Sequence, residues 1–129
     1  MNVLQPDGWE RPRGFSHGVS AQGTTVFVAG QIGRTPGGEL AGDGIATQAR
    51  QALANILTIL AEGGAKAEHI TRMNWYIVDT GEYVAAGRDI GQAYREVIGS
   101  HYPAMTLLEV SRLLDEKAKV EIEVTAVVP

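Results

Sequence analysis

Two glutamates, Glu121 and Glu123 in the run K-V-E-I-E-V-T-A-V-V, have the spacing in this chain best suited to chemistry. Residues i and i+2 of a strand project from one face, about 7 Å apart. That separation fits a pair that activates water or the edge of a metal site. It fits equally well two solvated charges on the wet face of a half-buried strand, which is the commoner use of glutamate. Glu109 and Asp115 have weaker claims.

The other reactive side chains are scattered. His17, His69 and His101 show no H-x-x-x-H or comparable ligand spacing. His69 precedes a strand and reads as solvated. His17 and His101 flank strands that could meet across the fold, where a histidine can serve as acid or base, although a surface or capping role is the simpler assignment. The chain has no cysteine, which rules out disulfides, thiolate nucleophiles and cysteine-based zinc or iron–sulfur sites. No G-x-S-x-G nucleophile motif occurs. The segment A-G-Q-I-G, ending at Gly33, closes a strand but runs into a Pro-Gly loop instead of a helix, so it lacks the setting of a phosphate or dinucleotide loop. Its glycines predict a close approach of backbone or ligand at the strand end. Trp9, Trp75 and Tyr76 are too few and too scattered for a base-stacking platform, and are assigned to the core and subunit contacts.

Positioning these residues takes one compact domain over residues 1–129, with 44% hydrophobic and 20% charged residues. A formal net charge of −4 leaves no basic field for phosphate backbones and argues against nucleic acid. No segment approaches the ~20 apolar residues of a membrane span. The first residues, M-N-V-L-Q-P-D-G-W-E, lack the basic start and apolar run of a secretory signal. The expectation is a cytoplasmic protein without membrane contact.

Residues 1–14, with Pro6, Gly8, Pro12 and Gly14, predict an extended arm. Between Phe15 and Val28 we read two strands joined by a tight turn near Gln22-Gly23. Val26 and Val28 point one way, Phe27 and Ala29 the other, so the second strand is apolar on both faces and is expected to be central in its sheet. From Ile45 to Glu62, the residues Ala49, Leu53, Ile56, Leu57 and Leu60 mark one face of an amphipathic helix, stopped by Gly63-Gly64. The run H-I-T-R-M-N-W-Y-I-V-D is a strand, closed by Asp79-Thr80-Gly81. A second helix is predicted from about Glu82 to Ile98, and two final strands flank the charged turn D-E-K. The order β-β-α-β-α-β-β gives an α+β fold, one mixed sheet with two helices on one face. The uncovered face then predicts a homo-oligomer whose sheets pack together.

The segments G-F-S-H-G-V, V-F-V-A-G-Q-I-G, T-Q-A-R-Q-A-L-A-N-I, P-A-M-T and V-E-I-E-V-T-A-V, in this order over Gly14 to Val128, resemble the RidA/YjgF family of enamine/imine deaminases, also labelled endoribonuclease L-PSP. The resemblance implies a chorismate-mutase-like fold, a homotrimer around a central barrel, and small-molecule clefts between subunits. It also implies hydrolysis of 2-imino acids to 2-keto acids and ammonia without a cofactor or metal. In deaminating members an arginine after P-A grips the substrate carboxylate with two prongs, as a guanidinium fork allows. A glutamate on the last strand positions water.

By that comparison the arginine's place is taken by Met105, a tyrosine's by Phe15, a serine's by Ala29 and an asparagine's by Gly91, while Gln31 keeps the G-Q-I strand end and Glu121 keeps the glutamate. The implied pocket is as large or larger and far more apolar. The expected ligand is less anionic, or larger and more hydrophobic, than a free imino acid. The expected chemistry is hydrolysis of a different imine, enamine or reactive adduct, with Glu121 as base. A non-catalytic ligand-binding protein is the alternative; an RNA-cleaving or translation-inhibiting role, suggested by older family labels, has the net charge against it.

Overall fold

Along the last strand, apolar Val120, Ile122, Val124 and Ala126 alternate with Glu121, Glu123, Thr125 and Val127. Such alternation buries one face and leaves the other free. In a computed structural model that describes residues 1–129, the first set is 0%, 0%, 4% and 0% exposed and the second set only half-buried. This strand lies inside the main sheet. Numbering elements along the chain as β1 (Asn2–Leu4), β2 (Gly18–Ser20), β3 (Thr24–Ile32), α1 (Ile45–Glu62), β4 (Ile70–Ile77), α2 (Thr80–Ala85), α3 (Gly87–Val97), β5 (Ala104–Glu109) and β6 (Val120–Val128), the sheet order is β3-β6-β4-β5. Strands β4 and β5 run parallel and the other neighbours antiparallel, so the sheet is mixed. The α+β architecture expected from the sequence is present.

Helix α1 buries Ala49, Ala52, Leu53, Ile56 and Leu60 against the sheet face that carries Val28, Met73, Trp75 and Ile122. Helix α3 adds Ile90 and Tyr94 to the same core. The other face of the sheet has no covering element. Phe27, on that face, is 76% exposed, and Leu108 is 51% exposed.

Four local expectations are corrected. Strand β3 is an edge strand, paired only with β6; its two apolar faces reflect a sheet whose outer side lacks cover within the chain, not a central position. Strand β2 does not pair with β3 but with β1, so the arm docks as a small antiparallel sheet, Asn2 opposite Ser20. The second helix is two: Asp79 caps the first by accepting from the Glu82 amide at 3.0 Å, and the chain breaks at Ala86 before α3. Finally, β5 ends at Glu109 and pairs with β4, so β5 and β6 do not form a hairpin.

The glycines of A-G-Q-I-G have the role expected of a close approach. A Cβ on Gly33 would lie 2.5 Å from Gln48 Cα, so the strand end touches the backbone of α1. Gln48 is fully buried and fully used. Its Nε2 donates to Gly42 O (3.0 Å) and Lys117 O (3.2 Å), and its Oε1 accepts from the Lys119 amide (2.8 Å). One amide thus ties the loop after β3 to the turn before β6. Gln48→Leu keeps the volume but strands three backbone groups, each costing about 1–3 kcal/mol when buried. We expect a loss on the order of 3 kcal/mol, read as a lower urea midpoint with unchanged m; a shift below about 0.5 kcal/mol would contradict this role.

Candidate functional site

Parallel pairing of β4 with β5 places Met105 beside Met73 and Leu107 beside Trp75, with the side chains of both β5 residues packed against the core. On that side a cavity of about 240 Å³ opens between the sheet edge and α3. Its walls are Met105, Trp75, Tyr83, Tyr94 and Tyr102, with Gly91 and Arg95 contributed by α3. The aromatic rings are mutually fixed. Tyr94 and Tyr102 stack at 5.5 Å and 11°, and Trp75 meets Tyr83 edge-on at 6.5 Å and 73°.

The polar atoms of this wall divide into committed and free ones. Tyr94 donates its hydroxyl to His101 O at 2.6 Å, and burial, with the neighbouring Tyr102, pushes its pKa well above the usual phenol value. Burial also raises that of Tyr83. Tyr83 and Tyr94 are therefore neutral at physiological pH. Trp75 Nε1 is buried and donates to nothing in the chain, the one buried side-chain nitrogen or oxygen without a partner. An orphaned donor of this kind costs about 1–3 kcal/mol and calls for a functional or solvent explanation.

The two glutamates lie on the opposite, uncovered face. Glu123 accepts from Tyr76 Oη at 2.6 Å and Asn74 Nδ2 at 3.2 Å, so it is spent on cross-strand structure. Glu121 makes no hydrogen bond or ion pair in the chain. Its carboxylate packs on the backbone of Gly30, where a Cβ would meet Oε2 at 2.7 Å. The register shift of β3 between Val28 and Gln31 falls at this point. Glu121 lines a separate hollow with Gly30, Ile32 and the Arg34–Asp115 ion pair, whose N···O distance is 3.0 Å.

Of the six residues singled out from the sequence, one chain brings together only Met105 and Gly91. Glu121 is in the hollow across the sheet, and Ala29 borders a different hollow with Arg72, Asn74 and Glu123. Gln31 donates to Ala29 O at 3.1 Å and faces a loop groove. Phe15, 36% exposed, meets His17 edge-on at 5.8 Å at the base of the arm. The histidines have structural contacts. His101 Nε2 lies 2.7 Å from Ile70 O, and His17 is framed by Trp9 and Phe15. His69 is not simply solvated, because its Nδ1 accepts from the Lys66 amide at 2.9 Å. Sequence reasoning missed the aromatic cavity itself. Tyr83 and Tyr94 share a helical stripe with Ile90, as core residues do, and the spacing Gly87, Gly91, Arg95 is a signal by which an open stripe beside a cation can be found.

This fold and these segments match known proteins. The family model for endoribonuclease L-PSP matches residues 10–128. The chain belongs to the endoribonuclease L-PSP family. Similar to this family member are the human 2-iminobutanoate/2-iminopropanoate deaminase, 28% identical over 80% of this chain and 72% of that protein, and a RutC family protein of Pyrococcus horikoshii, 33% identical over 96% and 95%. A solved Rid-family structure from Yersinia pestis, 29% identical, superposes with a TM-score of 0.86 over 98% of each chain. The resemblance to RidA/YjgF proteins therefore holds across the whole fold. No helix is long and apolar enough to cross a membrane.

In this L-PSP family chain the Tyr76–Glu123 pair gives a direct test of the open face. The hydrogen bond to Glu123 is the main cause that raises the Tyr76 pKa above 10.0, followed by burial and by the charges of Glu123 and Glu121. A phenol with a raised native pKa contributes stability that is complete below its unfolded value, near 10, and is lost as pH rises through the native value. Glu123→Gln is expected to move one tyrosine's titration back toward 10 in ultraviolet difference spectra, and with it the onset of alkaline unfolding. An unchanged tyrosine titration would contradict the pairing.

Proposed function

We propose that this protein assembles as a homotrimer, uncovered sheet faces inward. In it, Glu121 of one copy completes a cleft with the aromatic cavity of another. The assembly takes a small imine- or enamine-type metabolite and hydrolyses it without a cofactor. The single observation that carries this reading is Met105 among four aromatic side chains, where deaminating relatives of the RidA type have a carboxylate-gripping arginine. Supporting it are the exposed Phe27 and Leu108 on a sheet face without cover and a Glu121 carboxylate with no partner of its own.

In the proposed reaction, the Glu121 carboxylate takes a proton from water as the oxygen adds to the C=N carbon. With the imine nitrogen already protonated, the adduct is a neutral carbinolamine; it receives that proton on nitrogen, its hydroxyl proton passes back to Glu121 as the C–N bond breaks, and the carbonyl product leaves with ammonia, which carries the last proton away as ammonium. An enamine reaches the same protonated imine by taking a proton on carbon. Positioning a base in this way is worth about 10²–10⁴ in rate. The apolar wall selects the rest of the ligand. A thioether packs well on aromatic rings but offers a carboxylate nothing, and each lost charge-assisted hydrogen bond costs about 1.5–3 kcal/mol.

A second reading, a ligand-binding protein without chemistry, is favoured by one fact: within a single chain, Glu121 and the Met105 cavity lie on opposite faces of the sheet. The two readings part on assembly and turnover. Light scattering at micromolar concentration is expected to give three times 13.8 kDa; a monomer would overturn the shared cleft. With 2-iminobutyrate generated in situ, ammonia release is expected to be at least about 100-fold slower in kcat/KM than for the human deaminase assayed alongside, from the loss of two charge-assisted bonds. A comparable rate would contradict the role given to Met105.

A further inference from the structure

At the rim of the Met105 cavity stands an exposed cation that forms no ion pair in the chain. Arg95, in the last turn of α3, lines the cavity together with Met105 and Trp75. Its Nη1 lies 3.3 Å from the point where a Cβ on Gly91 would be, so the guanidinium folds back along the helix over the gap that this glycine leaves. All three ion pairs of the protein, Arg34–Asp115, Arg50–Glu96 and Lys119–Glu82, omit it. Glu96, its neighbour in sequence, is held by Arg50 at 2.6 Å. On the opposite side of the accounts is the buried Trp75 Nε1–H, which also lacks an acceptor.

We propose that Arg95 is the anion anchor of this cavity, and that its ligand is a carboxylate with a flat aromatic or conjugated body. A guanidinium presents two parallel N–H groups in the plane a carboxylate requires. Rings flank the space next to it, and stacked or edge-on packing on tyrosine and tryptophan favours a flat ligand. The cavity, about 240 Å³ within one chain, has room for one ring and a short acid tail. Charge recognition has thus moved from the strand, where Met105 stands, to the helix; a short 2-imino acid held by Arg95 leaves the Met105 side empty and its C=N carbon out of place, whereas a longer flat acid fills both ends. The inference rests on the reading of this cavity as the ligand site and names the class of ligand it takes.

Isothermal titration calorimetry on the full chain tests it with phenylacetate and its uncharged isostere phenylacetamide. Wild-type protein is expected to bind the acid at least tenfold more tightly than the amide. Arg95→Gln is expected to reduce this preference to within twofold and to leave the affinity for the amide and the melting temperature unchanged. Binding of the amide without preference for the acid, or a variant that retains the preference, overturns the assignment of Arg95 alone. Equal loss of both ligands in the variant marks Arg95 as merely structural and also overturns it. Inorganic phosphate that displaces phenylacetate at equal concentration overturns the carboxylate assignment. If wild-type protein binds neither acid nor amide, the cavity is not the ligand site, and the functional reading above fails with it.

Discussion

Strand β6 is hydrogen-bonded along both edges, to β3 and to β4, and its two-residue alternation governs the rest of the molecule. A slip of one residue would send Glu121 and Glu123 into the core and Ile122 and Val124 into solvent. Several groups hold the register: the Tyr76 and Asn74 bonds to Glu123, the Thr71 hydroxyl on Thr125 O at 3.0 Å, and Gln48 clamping the turn that leads into the strand. With register fixed, one face of the sheet must pack α1 and α3, and the other must present carboxylates and an exposed phenylalanine. The helix side then yields an aromatic cavity, the open side an unpartnered glutamate.

The sequence made the large elements readable where period and burial agree. Helix α1 announces itself by five apolar residues on one stripe, and β6 by strict alternation. Where the two signals separate, reading failed. Phe27 and Ala29 make β3 look buried on both sides, yet it is an edge strand, because apolarity on a sheet face without cover in the chain has the same pattern as a central strand. Three-residue strands such as β1 are too short for any period. The parallel β4–β5 pairing could not be read, because parallel neighbours are chosen by tertiary packing across a long connection, which local patterns do not encode.

The site was legible to a smaller degree. Spacing alone put Glu121 and Glu123 on one face, and their different fates, one free against Gly30 and one bound to Tyr76, could be seen only in three dimensions. Family resemblance supplied Met105 and Gly91, which do share a cavity. It did not supply the aromatic wall or Arg95, since these come from four separate segments whose meeting is set by tertiary packing, with α3 held against α1. The old family label of endoribonuclease finds little physical support in a chain of net charge −4.

The proposed reaction requires Glu121 and Met105, which lie on opposite sides of one chain's sheet, to face one cleft between two copies. A crystal structure of the assembled protein, grown with a small aromatic carboxylate, measures this directly. The account predicts a threefold assembly with Glu121 of one copy and Met105 of its neighbour lining the ligand from opposite sides. An assembly in which Glu121 opens to a different compartment from the ligand and Met105 would contradict it.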